Sequence, residues 1–114
     1  MSKPEDHLDI VALKELKDIM EGEFDTLVAT FIRDSSNKVE ELADIIEAGD
    51  PDRLRKVAHS LKGSSSNVCA MPLSELARQL EQLGREGTLA GAADLLERLR
   101  DEFQQVATLL NNNI

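Results

Sequence analysis

One stretch of the chain, AHSLKGSSSN at residues 58–67, places residue types that could do chemistry inside an amphipathic helical pattern. His59 is followed by Lys62 and Gly63, and then by three serines. A glycine in the middle of a helix costs about 1 kcal/mol relative to alanine. Core packing cannot offset that cost on an exposed face, so Gly63 indicates the close approach of another molecule.

The polar surroundings of His59 follow from helical geometry. A helix over residues 51–68 turns about 100° per residue, which puts His59 at the centre of the polar face. The apolar residues on the opposite side are Leu54, Val57, Leu61 and Val68. The residues within about 60° of the histidine are Asp52, Arg55, Lys56, Lys62, Gly63 and Ser66. His59 is therefore predicted to face solvent with three cations around it.

An exposed histidine among cations favours a nucleophile site over other chemistries. A neutral imidazole is a good nucleophile near pH 7, and cations stabilise a dianionic phosphoryl group. No metal site is predicted, because the only other histidine, His7, lies in the N-terminal segment. A helix interior offers no free N–H groups for the oxyanion hole of a hydrolase. Without a glycine-rich phosphate loop, the chain is not expected to bind ATP.

The elements that must position His59 are helices, because apolar residues recur at helical spacing and strict alternation never persists. The predicted helices are a short one over 9–20, then 23–48, 51–68, one starting at Met71-Pro72 and a last one capped by Thr88. Gly49, Asp50 and Pro51 end the second helix and start the third with almost no loop. Such a short connection favours antiparallel neighbours. We predict an all-α fold, an antiparallel up-down four-helix bundle with a short additional N-terminal helix.

The fourth predicted helix carries an apolar stripe that ends near two glycines. Gly84 and Gly87 are both expected to close it, because glycine is common just after a helix. Cys69 lies in the connection between the third and the fourth predicted helices. It is the only cysteine, which excludes an internal disulfide and a cysteine-based metal cluster, and it is expected to be a buried, inert thiol.

Composition bounds the class of protein. A chain of 114 residues makes a single domain over 1–114, with the first seven and last four residues expected to fray. Three Phe and no Trp or Tyr predict a core of Leu, Ile, Val and Ala, which suits helix packing. The net charge of −9 argues against nucleic acid as a partner. No apolar run approaches a membrane span of about 20 residues and no signal peptide is evident, so we expect a cytoplasmic protein.

The stretch His59-Ser60-Leu61-Lys62-Gly63-Ser64-Ser65 closely resembles the His-x-Leu-Lys-Gly-Ser motif of histidine phosphotransfer (HPt) domains. The resemblance extends over residues 8–108. It includes the Met20-x-x-x-Phe24 start of the second helix, Asp50, Ala58-His59, Leu80-Glu81 and Leu83-Gly84-Arg85-x-Gly87. Cys69 is a departure, because the family commonly has glycine two positions before Met71. Cysteine tolerates less left-handed backbone, so the end of the third helix is expected to differ in detail.

The resemblance implies a phosphocarrier. His59 would accept a phosphoryl group, through the more exposed Nε2, from the aspartate of a receiver domain of a hybrid sensor kinase. It would then pass the group to the aspartate of a response regulator receiver. Magnesium would belong to the receiver, so the chain itself would need no cofactor.

The same resemblance implies roles for the surrounding residues. Lys62 would lie beside the phosphoryl oxygens, and Glu81 would hydrogen-bond the imidazole Nδ1 to fix its tautomer. The alternative for Glu81 is a solvated carboxylate at the helix edge. The remaining candidates are Arg55 and Lys56 in the phosphoryl environment, and Gly63 and Ser66 for receiver clearance and docking.

Two other functions compete with the phosphocarrier. A helical adaptor could dock receivers or kinases and regulate them without carrying phosphate, although it would need none of His59, Lys62 and Gly63. An autophosphorylating kinase fragment would need an ATP-binding domain, for which 114 residues leave no room. The initiating Met and self-contained fold favour a stand-alone protein, and a monomer is expected because one face must stay open for partners.

Overall fold

The computed structural model describes residues 2–112, and all regular structure in that range is helical. The α-helices are α1 (Ile10–Met20), α2 (Phe24–Ala48), α3 (Pro51–Asn67), α4 (Met71–Arg85) and α5 (Ala92–Asn111). Short 3-10 turns at Pro4–Asp6 and Glu21–Glu23 flank α1. The predicted all-α class is confirmed. Of the residues expected to fray, Met1, Asn113 and Ile114 lie outside the described residues. Among the others, Pro4–Asp6 form a 3-10 turn, His7 is buried and α5 continues to Asn111.

The connection between α2 and α3 follows directly from its residue types. Gly49 takes a left-handed backbone, with φ of +74°, and its N–H bonds to the Ile45 carbonyl. Asp50 then caps α3 by accepting a hydrogen bond from the Arg53 N–H at 3.2 Å. Pro51 is the first helical residue, where its missing N–H costs nothing. Two residues thus suffice to link the helices, which keeps α2 and α3 adjacent.

Two expected helix boundaries are wrong. The fifth helix begins at Ala92, not after Thr88, because the Thr88 hydroxyl accepts the Ala90 N–H at 3.1 Å and forms a local turn. Gly84 lies inside α4, which ends at Arg85. It does not close the helix but packs on the backbone of α3, whereas Gly87, with φ of +72°, follows the helix end.

The link between α3 and α4 runs through Cys69, which has φ of +62°. Cysteine thus takes the left-handed backbone that was expected to be difficult for it, at a cost in strain. Its carbonyl accepts the Asp9 N–H at 2.9 Å, so this corner also fastens the start of α1. The thiol is half-buried, not fully buried, and burial raises its pKa.

The core lies between the four long helices. Helix α3 packs against α2 and α4, and α5 packs against α2 and α4, so these helices form a closed ring of neighbours. The largest fully buried side chains in the core include Leu42, Ile45, Leu54, Leu61, Leu73, Leu80, Leu99 and Val106. The most extensive contact is between α3 and α4, and the small residues Ala58 of α3 and Ala77 of α4 are completely buried. No helix within residues 2–112 is both long enough and apolar enough to cross a membrane.

Candidate functional site

His59 projects from the polar face of α3, and its side chain is 63% exposed. Its Nδ1 atom lies 2.8 Å from Oε2 of Glu81, which comes from α4. The periodicity of α3 explains the exposure, because Leu54, Ala58 and Leu61 occupy the buried side of the same helix. With Nδ1 held at the helix interface, Nε2 is the ring nitrogen that does not contact Glu81.

Glu81 is the centre of the site. Its side chain is only 4% exposed, so it is not the solvated edge carboxylate considered above. Oε2 accepts hydrogen bonds from His59 and from Nη2 of Arg85 at 2.9 Å, while Oε1 pairs with Nζ of Lys62 at 2.7 Å. One buried carboxylate therefore holds the imidazole and two cations together.

The contacts of Glu81 determine its ionisation. Burial by itself raises the pKa of this carboxyl, but hydrogen bonds from Lys62, Arg85 and His59 outweigh burial and lower the pKa to about 2. Glu81 is thus ionised at neutral pH. One anion faces two cations, so the cluster carries one net positive charge while His59 is neutral. A positive cluster beside an exposed imidazole is suited to receiving an anionic group.

Helical spacing explains which side chains can meet here. His59 and Lys62 are three residues apart on α3, and Glu81 and Arg85 are four apart on α4, so each pair lies on one face of its helix. The two faces meet because α3 and α4 pack closely. Arg85 belongs to the motif that resembles HPt domains, but its chemistry was not predicted. The sequence signal that could have identified it is its i, i+4 spacing from Glu81.

Gly63 lies on the exposed side of α3, one turn from His59. A Cβ added at this position would meet nothing within 4 Å. No packing contact therefore requires a glycine here, although glycine weakens the helix. The structure thus leaves open space beside the imidazole.

The remaining predicted site residues are Ser66, whose hydroxyl contacts α4, and Arg55 and Lys56, whose side chains pair within α3. Ser66 is exposed, but its hydroxyl lies 2.8 Å from that of Ser74 on α4. Arg55 and Lys56 lie on the predicted face, yet both pair with Asp52, at 3.1 Å and 3.2 Å. Hydrogen bonds from Arg55 and then Lys56 lower the pKa of Asp52. The structure places these two cations in a separate ion-paired group, not in the cluster around Glu81.

A second histidine–carboxylate pair was missed. Nδ1 of His7 lies 2.7 Å from Oε2 of Glu102 on α5, with side chains 10% and 15% exposed. The residues are ninety-five positions apart, so no local pattern predicts the contact. Within residues 2–112, no group of three or more His, Cys, Asp or Glu residues is arranged to hold a metal ion.

Comparison with known proteins identifies the family. The model of the Hpt domain matches residues 26–109, which comprise nearly all of α2 to α5. The chain belongs to the Hpt domain family. The resemblance seen in the sequence is confirmed, and it places this Hpt chain with phosphocarrier proteins, not with kinases.

Solved structures resemble this Hpt chain closely. Histidine-containing phosphotransfer protein B (HptB) from Pseudomonas aeruginosa PAO1 is 39% identical, with a TM-score of 0.91 over 97% of this chain and 95% of that one. The maize protein ZmHP2 is 26% identical, with a TM-score of 0.78 over 89% and 82% of the two chains. A rice protein, 23% identical with a TM-score of 0.75 over 84% of this chain and 73% of that one, shows the shared fold alone. A search of curated proteins gave no match.

Proposed function

We propose that this protein is a phosphorelay carrier that accepts a phosphoryl group on His59 from a receiver-domain aspartate of a hybrid sensor kinase. It then transfers the group to the aspartate of a response regulator receiver. Membership of the Hpt family supports the class of function. The observation that carries the assignment of the residue is the exposed imidazole whose Nδ1 is held by a buried carboxylate.

The pairing with Glu81 selects the reactive tautomer. Glu81 is ionised and can only accept hydrogen bonds, so Nδ1 of His59 must carry the proton that it donates. The lone pair of a neutral ring then lies on Nε2. In the transfer, this lone pair forms a bond to phosphorus while the bond from phosphorus to the aspartate oxygen breaks. The aspartate leaves as a carboxylate, and Glu81 stabilises the positive charge that develops on the ring.

The cations beside the ring have a matching role in the proposal. Lys62 is 31% exposed, and its flexible ammonium can remain near Glu81 or turn toward phosphoryl oxygens. Arg55 and Lys56 act only at longer range, because Asp52 offsets them. Gly63 gives the receiver clearance, and Ser66 lies farther along the same docking face.

The proposal extends to the organisation of the chain. Residues 1–114 form one domain, an antiparallel up-down bundle of α2 to α5 with α1 as the additional helix; the short links and the ring of helix contacts support this order. We further propose a cytoplasmic monomer that binds receiver domains and neither nucleic acid nor membrane. It has no ATP-binding activity and no cofactor of its own, with magnesium bound by the receiver.

Phosphotransfer from a receiver domain tests the proposal. A receiver charged with acetyl phosphate or by its kinase should label this protein with a phosphate that is acid-labile and base-stable. Labelled ATP alone should not label it. His59→Ala should abolish labelling while circular dichroism shows an intact helical fold. If His59→Ala kept full regulatory output on its partners, the protein would instead be an adaptor that carries no phosphate.

A further inference from the structure

We propose that Gly84 and Ser74 are positioning residues that set the orientation of the phosphoacceptor ring by fixing α4 against α3 on both sides of Glu81. Neither residue shares a hydrogen bond with His59. Each makes a direct contact between the two helices, and the His59–Glu81 pair lies between those contacts. The inference rests on the proposed function only in taking His59 as the group that must be positioned.

The first contact is the crossing at Gly84, three residues after Glu81. A Cβ at this position would lie 2.6 Å from the Pro51 carbonyl oxygen, 2.7 Å from the Arg55 nitrogen and 2.9 Å from the Arg55 Cα. These are backbone atoms of the first two turns of α3, which cannot rotate away as a side chain can. The missing Cβ therefore allows α4 to approach α3 more closely than any other residue would permit.

The second contact is the hydroxyl of Ser74, seven residues before Glu81, which is two turns along α4. Ser74 is 6% exposed, and its Oγ donates to the Lys62 carbonyl at 3.1 Å. The same oxygen lies 2.8 Å from Oγ of Ser66. A helical serine commonly bonds a carbonyl of its own helix, but Ser74 bonds across to α3. It holds the backbone of the residue whose ammonium pairs with Glu81.

The two contacts matter because two of the three ligands of Glu81 come from α3, so their distances depend on the placement of α4. His59 and Lys62 approach from α3 at 2.8 Å and 2.7 Å, whereas Arg85 shares the helix of Glu81. A shift of α4 by about 1 Å would lengthen the two contacts from α3 past the limit of a hydrogen bond and spare the third. Nδ1 would then lose the acceptor that keeps its proton in place, and both tautomers of His59 would become populated.

Nitrogen-15 NMR of the His59 ring tests this in the full-length, unphosphorylated protein. Wild type should show a protonated Nδ1 and an unprotonated Nε2. In Ser74→Ala the ring signals should shift toward a mixture of tautomers, and the initial rate of phosphotransfer should fall by about 10-fold, as expected for a small misplacement of a reacting group. Gly84→Ala should shift the ring signals further, toward those of Glu81→Ala.

Ser65→Ala is the matched control. Ser65 is also a buried helical serine, and its hydroxyl donates to the Leu61 carbonyl at 2.8 Å within α3 itself. The variant should lower Tm about as much as Ser74→Ala and leave the ring signals of His59 unchanged. Equal ring signals in Ser74→Ala and wild type would overturn the proposal, and so would equal changes in Ser65→Ala and Ser74→Ala. If Gly84→Ala does not fold, the comparison of the His59 ring signals in Ser74→Ala and Ser65→Ala still tests the proposal. The ring measurement needs no phosphate, so its outcome is separate from that of the transfer assay.

Discussion

The protein contains two histidine–glutamate pairs with nearly the same Nδ1–Oε2 distance, but the exposure of the two histidines differs. Nδ1 contacts Oε2 at 2.8 Å in His59–Glu81 and at 2.7 Å in His7–Glu102. The ring of His59 is 63% exposed above a buried carboxylate, whereas the ring of His7 is only 10% exposed and its Nε2 is buried without a hydrogen-bond partner. The same contact thus leaves one outer nitrogen open and encloses the other. The two pairs thus differ mainly in the exposure of the histidine, not in the presence of a carboxylate.

The surroundings of the two pairs support this division. Glu81 joins the imidazole to Lys62 and Arg85 and so builds a positive cluster. The His7–Glu102 contact instead fastens the N-terminal segment to α5, next to Leu8, which is 1% exposed. We infer that the first pair serves transfer and the second serves stability.

Exchanging each histidine for alanine should separate transfer from stability completely. His59→Ala should lose all phosphate labelling, whereas His7→Ala should be labelled at the wild-type rate. In contrast, His7→Ala should lower the free energy of unfolding by about 1–3 kcal/mol, because a largely buried partner of Glu102 is removed. Labelling and chemical denaturation of both variants check this. A folded His7→Ala that accepts no phosphate would break the comparison.

Replacing each glutamate should again separate transfer from stability, but the loss of transfer rate should be smaller than in His59→Ala. Glu81→Ala should slow transfer by about 10- to 100-fold, because the tautomer is no longer fixed and no carboxylate stabilises the charged ring. Glu102→Ala should keep the wild-type transfer rate. Rapid-quench measurement of the initial rate with one charged receiver compares the two variants. Similar losses in both would mean that Glu81 acts through overall stability alone.

Stability should depend on pH through Glu81. Its pKa falls from 4.5 to about 2 on folding, so its ionised form stabilises the protein above pH 4.5, and this contribution is lost as pH falls toward 2. The shift corresponds to at most about 3 kcal/mol. Urea unfolding at pH 7 and pH 3 should show a gap between wild type and Glu81→Gln that narrows in acid.

An exposed carboxylate provides the control for that measurement. Hydrogen bonds, first from Arg78 and then from Gln79, lower the pKa of Glu75 to about 2 as well, but this carboxylate is exposed. Water and salt screen such a pair, so Glu75→Gln should change stability little at either pH. An effect equal to that of Glu81→Gln would mean that burial of Glu81 is unimportant.

The smallest expected effect on transfer is that of Gly63→Ala, which fills the open space beside His59. Gly63→Ala should raise helix stability by up to about 1 kcal/mol, because the added methyl group meets nothing in this protein. Transfer from a receiver should nevertheless slow, since the methyl group occupies space proposed for the partner. Thermal melting and transfer rates measured on one preparation check both effects. An unchanged rate would show that the receiver does not approach over Gly63.

The sequence predicts what depends on neighbouring residues along one helix. The exposed position of His59 follows from the apolar period of α3, and the boundary at residues 49–51 follows from glycine, a capping aspartate and proline. Thr88 shows the limit of such signals, because the same residue type caps helices and closes turns. In this protein Thr88 forms a turn, and the helix starts at Ala92.

Contacts between helices could not be predicted from local patterns. The family resemblance suggested a role for Glu81, but its burial and its pairing with Lys62 depend on how far α4 slides along α3. In the sequence, the position of Gly84 is typical of a helix end. Only the packing shows that its missing Cβ allows α4 to lie against the backbone of α3. His7–Glu102 joins the two ends of the chain, where helical period carries no information.

The half-buried thiol of Cys69 has a practical consequence for studying partner binding. The thiolate is the nucleophile that attacks an alkylating reagent, and burial raises the pKa of the Cys69 thiol, which disfavours that form. The sequence has no other cysteine. A cysteine introduced at the exposed Ser60, beside the proposed phosphoacceptor His59, should therefore react with a maleimide fluorophore well before Cys69 does. Cys69 would not need to be replaced, and the fluorescence of the dye at position 60 would report the binding of a receiver domain.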